Sequence, residues 1–325
     1  MPPGRSDGTV PSLGACARLP GVTAALTVLA TSEPIHWADL GLQRGIDLGF
    51  FTLRFYALAY IAGILLGYLH LTRMIKAPGS PMNADDAADL AFFATFGIVL
   101  GGRLGYATFY EPHLWTSLDL LKVWQGGMSF HGGLIGVLVA LAWVAHRNKL
   151  PWLRVADYIA VNVPFGMMFG RIANFINGEL WGKPSDAPWA MVFPDAGPLP
   201  RHPSQLYEAA LEGLLMIVVM LWLFWRTRAR WRPGLLGGVF VAGIGAARFV
   251  VEFFREPDAQ LTEFAARTHL HMGQWLTLPL IAVGVFLIVR ALRRPPLEET
   301  SDDESHAEPD SEPEGQEGHT AENGR

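Results

Sequence analysis

Residues 155–182, VADYIAVNVPFGMMFGRIANFINGELWG, carry the reading of the whole chain. An apolar run over 155–169 is followed at once by Arg171, Asn174, Asn177 and Glu179. Such runs approach the length that crosses a lipid bilayer, where ionisable groups are expensive and usually functional. Polar residues gathered at the end of one therefore point to a joint role. The competing reading is a helix end at which Arg171 and Asn174 only solvate a boundary.

Working outward, seven apolar stretches lie near 51–72, 88–109, 129–146, 155–173, 205–225, 234–254 and 275–292. Each is close to the length of a spanning helix, and no soluble domain needs seven. The expected fold is an all-α integral membrane protein of seven transmembrane helices, occupying residues 49–296, with disordered termini. Half of the 325 residues are hydrophobic and 17% are charged. The net charge of −5 comes from the end of the chain, since residues 297–325 hold eleven acidic residues and one basic. That composition cannot bury enough apolar surface to fold, so 297–325 reads as a disordered tail. Residues 1–48 read as a poorly ordered extension, because the apolar run at 21–30 is too short to span. Cys16 is the single cysteine, which excludes an intramolecular disulfide. The lipobox-like Leu13-Gly14-Ala15-Cys16 lacks an apolar core upstream and is read as coincidence.

Basic residues set the orientation. Arg73 and Lys76, then Arg147, Lys149 and Arg154, then Arg226, Arg228, Arg230 and Arg232, then Arg290, Arg293 and Arg294 fall in alternate loops. By the positive-inside rule these loops and the tail are cytoplasmic and the N-terminus is periplasmic. The polar residues interrupting the runs then share one depth. Tyr56, Arg103, Tyr106, His131, Arg171, Tyr207, Glu208, Arg248, Glu252 and Gln274 all fall in the outer half of the membrane. The proline- and aromatic-rich loop 174–204 reads as a small periplasmic cap over that site.

Arg248, Glu252 and Arg255, spaced four and then three apart, share a helix face. Two arginines at one depth, Arg171 and Arg248, suit a phosphate group held in bidentate fashion. A neutralised Arg248–Glu252 pair serving only packing is the alternative. His131, between glycine pairs at a helix mouth, can accept a proton near neutral pH or serve as a structural helix-end group. Gly97, Gly101 and Gly105 read as a helix-packing series. With no P-loop, G-x-S-x-G elbow, zinc motif or metal-ligand clustering, no metal or cofactor is expected. A transporter is disfavoured, because its polar groups would sit near the midplane of repeated halves.

Residues 170–182, His131-Gly132-Gly133, Gly101-Gly102-Arg103-Leu104-Gly105-Tyr106, Arg201-His202-Pro203-Ser204-Gln205-Leu206-Tyr207-Glu208 and residues 248–260 together resemble the bacterial prolipoprotein diacylglyceryl transferase family. The resemblance runs in consistent order over residues 50–294. It implies an inner-membrane enzyme that moves the diacylglyceryl group of phosphatidylglycerol onto the lipobox cysteine of a preprolipoprotein signal peptide, forming a thioether and releasing glycerol 1-phosphate. It carries importance over to Tyr56, His131, Arg171, Asn174, Glu179, Gly182, Arg248 and Glu252. His131, Arg171 and Arg248 are the catalytic candidates. Tyr56, Asn174, Glu179, Gly182, Arg103, Glu208 and Glu252, again with Arg171, are the substrate-binding candidates. His131 is the candidate base, ahead of Glu208 and Glu252. The expected partners are phosphatidylglycerol, the lipobox peptide and the bilayer, with no nucleic acid. A lipid-binding scaffold without chemistry is excluded only by the resemblance.

Overall fold

A computed structural model describes residues 34–47, 49, 52–123, 126–256 and 270–297. The Cys16 motif, the apolar run at 21–30 and the acidic segment after Leu297 lie outside the described residues. The chain is mostly helical: α1 (Phe55–Met74), α2 (Ala84–Phe109), α3 (Phe130–Arg147), α4 (Trp152–Asn177), α5 (Ser204–Arg226), α6 (Leu235–Val251) and α7 (Met272–Arg293). All of these except α6 are long and apolar enough to cross a membrane, and α6 is an apolar helix of 17 residues.

The helix limits follow local chemistry. Asn83 Oδ1 accepts from Asp86 N and Asp86 Oδ2 accepts from Asn83 N, both at 2.9 Å, so a reciprocal capping box starts α2. Gly178 at φ 69° ends α4, and its N–H donates to Phe175 O at 3.0 Å. The first apolar run becomes helical only from Phe55, because Thr52–Arg54 pairs antiparallel with Gly45–Asp47. The fifth run contains a π-helical section, Ala209–Leu215, between two α-helical parts.

Small residues bring the helices together. A Cβ on Gly97 would lie 2.5 Å from Gly136 O, and one on Gly101 would strike Gly132 O, so α2 and α3 touch backbone to backbone. The expected packing role of the 97/101/105 series is therefore met. The buried apolar core, with Tyr158, Met220, Phe224 and Leu236 nearly inaccessible, takes residues from all seven helices. The outward faces expose large apolar residues such as Phe92, Val139, Trp222 and Phe286. This is the distribution a lipid solvent permits.

The basic segments meet at one end of the bundle. Arg154 donates to Gly79 O, Arg232 Nη1 donates to Arg294 O at 2.9 Å, and Leu297 N donates to Trp231 O at 2.8 Å. At the other end residues 178–203 form a hydrogen-bonded segment between α4 and α5. Gly182 N donates to His202 O and Lys183 N to Phe254 O, each at 2.9 Å, tying the segment to the end of α6.

Residues 34–47, expected to belong to a poorly ordered extension ending at 48, pair and pack with this segment. Ile35–His36 pairs parallel with Met191–Val192, Trp37 packs with Met191, Phe193 and Ala196, and Trp37 Nε1 donates to Phe175 O at 2.8 Å. A single tryptophan supplies both the buried area and the polar anchor that dock the segment.

Candidate functional site

The site grows from the start of α5. Ser204 Oγ donates to Leu180 O at 3.0 Å and Gln205 Nε2 donates to Glu179 O at 2.5 Å, which staples this helix to the segment after α4. Glu208 follows one turn later and is wholly inaccessible. A carboxylate in that position needs partners, and three arginines supply them. Arg248 Nη1 and Arg255 Nη1 donate to Glu208 Oε1 at 2.6 and 2.8 Å, and Arg171 Nε stands 3.0 Å from Oε2 as an ion pair.

Two further acids complete the group. Glu212, in the π-helical section, lies 3.7 Å from Arg171 Nη2. Such sections are frequent at functional sites. Glu252 lies 3.2 Å from Arg248 Nη2 and 3.8 Å from Arg255 Nε, which realises the expected common face. Glu252 also approaches His271 Nδ1 at 3.9 Å at the start of α7. A Cβ on Gly273 would lie 2.6 Å from the Glu252 carboxyl carbon, so a side chain there would displace that carboxylate. Three guanidinium groups thus face three carboxylates and their formal charges cancel. The arginines keep 25%, 27% and 20% of their side chains exposed, whereas Glu208 and Glu212 keep almost none. The accessible side of the cluster is therefore its cationic side. Glu212 Oε1 and Gln205 Oε1 are buried without a donor among the described residues.

Asn174, 5% exposed, donates to Glu179 Oε1 at 2.9 Å, and Asn177 donates to the same oxygen at 3.2 Å. Tyr56 and Tyr60 hydroxyls are 3.3 Å apart on α1. From the segment between α4 and α5, Trp189 Nε1 donates to Tyr207 Oη at 2.6 Å, and Tyr207 Oη is 3.0 Å from His202 Nδ1. An indole N–H can only donate, so the tyrosine hydroxyl is free to donate to the histidine. Burial, and then the nearby Lys183, hold the His202 pKa below its ordinary value.

Arg171, Glu208, Arg248 and Glu252 are thus brought into one cluster. Arg103 and His131 are not joined to it by any contact among the described residues. Arg103 Nε donates to Leu120 O at 2.9 Å, Nη1 to Gly126 O at 2.7 Å and Nη2 to Asp119 O at 2.5 Å. With a further bond from Nη1 to Gly127 O, four hydrogen bonds to carbonyls make Arg103 an anchor of the loop between α2 and α3. His131 is exposed at the start of α3, and its only partner among the described residues is the Phe130 ring. Gly182 is buried between backbone segments, with Phe254 O and the His202 side chain where a Cβ would go, so its role is close approach. Arg255 was read in the sequence only as sharing the helix face of Arg248 and Glu252, and Glu212 and His271 were not read there as site residues. Glu212 left a legible signal, a second carboxylate four residues after Glu208 in one apolar run.

The chain is similar to known proteins over most of its length. The sequence model described as prolipoprotein diacylglyceryl transferase matches residues 44–290. A phosphatidylglycerol--prolipoprotein diacylglyceryl transferase of Erythrobacter litoralis is 63% identical over 266 residues, covering 82% of this chain and 95% of that protein. The proteins of the same name from Zymomonas mobilis and Rhizobium meliloti are 49% and 50% identical, covering 80% and 75% of this chain and 94% and 90% of their own lengths.

Proposed function

The chain belongs to the prolipoprotein diacylglyceryl transferase family, and from that premise we propose how its residues divide the work. It transfers the diacylglyceryl group of phosphatidylglycerol to the lipobox cysteine of preprolipoproteins. In this reaction the cysteine sulfur attacks the glyceryl carbon esterified to phosphate. A C–S bond forms, the C–O bond breaks, glycerol 1-phosphate departs, and the thiol proton must be removed because the thiolate is the nucleophile.

The observation that carries the assignment is the convergence of Arg171, Arg248 and Arg255 on the inaccessible Glu208. Glu208, with Glu212 and Glu252, holds the three guanidinium groups together while each keeps part of its side chain accessible. A phosphodiester arriving there meets preoriented N–H donors, which are worth most where charge develops on the leaving oxygen. Glu208, Glu212 and Glu252 act as positioning residues that keep three cations together without net charge. Asn174, held by Glu179, and Tyr56 line the approach and orient the headgroup. His131, exposed and with no hydrogen bond among the described residues, is the group able to take the thiol proton.

The same reading places the cluster in the periplasmic half of the inner membrane. Seven helices cross, α6 included, since 17 residues at about 1.5 Å each give roughly 26 Å, close to the ~30 Å apolar core. The joined basic end of the bundle faces the cytoplasm and the cap over residues 178–203 faces the periplasm.

The test is incubation of the purified protein with phosphatidylglycerol and a lipobox peptide. A peptide heavier by one diacylglyceryl group, with stoichiometric glycerol 1-phosphate, is expected. An unmodified peptide beside an active relative under the same conditions would refute the reading.

A further inference from the structure

A second polar constellation lies between α1 and α5, far from the Glu208 cluster. Trp225 is 17 residues beyond Glu208 on α5, which is about 25 Å along a helix. Trp225 Nε1 donates to His70 Nε2 at 3.0 Å, and His70 Nδ1 is 2.8 Å from Asn162 Oδ1. Because the indole N–H can only donate, Nε2 carries no proton, so Nδ1–H donates to Asn162 and the imidazole is neutral. Asn162 Nδ2 in turn donates to Tyr158 O at 2.8 Å. This chain of donors, anchored in the core, fixes the plane of the Trp225 ring, over which Arg73 Cζ stands 6.0 Å from the centroid.

His70, Arg73, Leu221 and Trp225 line an open cavity of about 320 Å³. With His70 neutral, Arg73 is the cation of this wall. It is exposed, and no carboxylate pairs with it among the described residues. Beside the cavity the outward faces of the two helices are apolar and open, with Leu69 53%, Val218 57% and Trp222 58% exposed. A guanidinium over an indole, set at the edge of two apolar helix faces, has the layout of a phospholipid's boundary between headgroup and acyl chains.

We propose that this cavity binds the phosphate headgroup of an anionic phospholipid, with the acyl chains lying along the apolar faces of α1 and α5. The planar N–H edge of Arg73 takes the phosphate oxygens. The single positive charge favours a lipid with net negative charge over a zwitterion, whose own cation has no partner in this wall. A free phosphate ion would leave the apolar walls unused. This site is distinct from the one proposed for transfer and does not depend on that chemistry.

The test uses the full chain in phosphatidylcholine nanodiscs doped with phosphatidylglycerol carrying brominated acyl chains, which quench nearby tryptophan. A quenched component missing from Trp225→Phe is expected, reaching half-effect at a several-fold lower mole fraction than with brominated phosphatidylcholine. Arg73→Gln should abolish that preference and Arg73→Lys retain part of it, and native mass spectrometry should count one retained phosphatidylglycerol fewer in Arg73→Gln. Equal quenching by the two lipids, unchanged retention in Arg73→Gln, or release of the brominated lipid by millimolar inorganic phosphate would overturn the proposal. Should Arg73→Gln fail to fold, the comparison of the two lipids in the unaltered chain decides alone.

Discussion

Glu208 shares its carboxylate among Arg171 of α4, Arg248 of α6 and Arg255 in the turn that follows α6. Its removal leaves cations facing one another in a poorly solvated place. Glu208→Ala is therefore expected to destabilise the protein by about 3–5 kcal/mol, the cost of breaking a buried ion pair from one side. A lowered detergent-melting temperature would show it, and an unchanged melt would mean that Glu208 does not organise the cluster. The arginines make a different prediction, because their accessible edges are the ones assigned to phosphate. Arg171→Ala and Arg248→Ala are each expected to lose on the order of 10²–10³ in transfer rate while remaining folded. Lysine at either position should restore only part, since it lacks the planar fork. Full turnover in a lysine variant, measured by peptide mass, would rule out the bidentate arrangement.

Among the elements, α2 and α3 are held by glycines rather than by interlocking large side chains. Gly101→Leu would put its side chain into Gly132 O, so the two backbones must separate. A destabilisation of about 1–3 kcal/mol or more is expected from such overpacking. Leucine at Gly41, where nothing lies within 4 Å of a Cβ, provides a comparison in which the strain comes only from its φ of 62°. The cap has its own pH signature. Burial and Lys183 lower the pKa of His202 in the folded state, while the unfolded chain binds the proton near pH 6.5. Above about pH 6.5 both states are neutral and the group is silent; below it the unfolded state binds more protons and stability falls. Thermal melts between pH 7.5 and 5.5 should thus decline less steeply in His202→Gln than in the parent chain, and equal slopes would show that this histidine is not the group responsible.

For the whole molecule, the cap and the basic loops occupy opposite ends of one helical bundle, and the membrane must lie between them if the loop charges orient it. In a Cys16→Ser background, a cysteine replacing the exposed Asp186 is expected to react with an impermeant thiol reagent when the outer membrane alone is permeabilised. One replacing the exposed Lys76 is expected to react only after the inner membrane is opened. The reverse pattern would invert the orientation and place the Glu208 cluster on the wrong side for a secreted substrate. The sequence by itself determined the apolar runs, the alternation of basic loops, the shared face of Arg248, Glu252 and Arg255, and the family, because hydropathy, helical period and motif are properties of neighbouring residues. Only the tertiary structure decided that Arg171 meets Glu208 rather than Glu179, that Arg103 anchors a loop, and that Trp37 pins residues 34–47 to α4 and the segment after it. Those outcomes depend on which helix faces which, and that is set by glycine contacts and capping bonds between segments remote in the chain, where no local pattern records the partner.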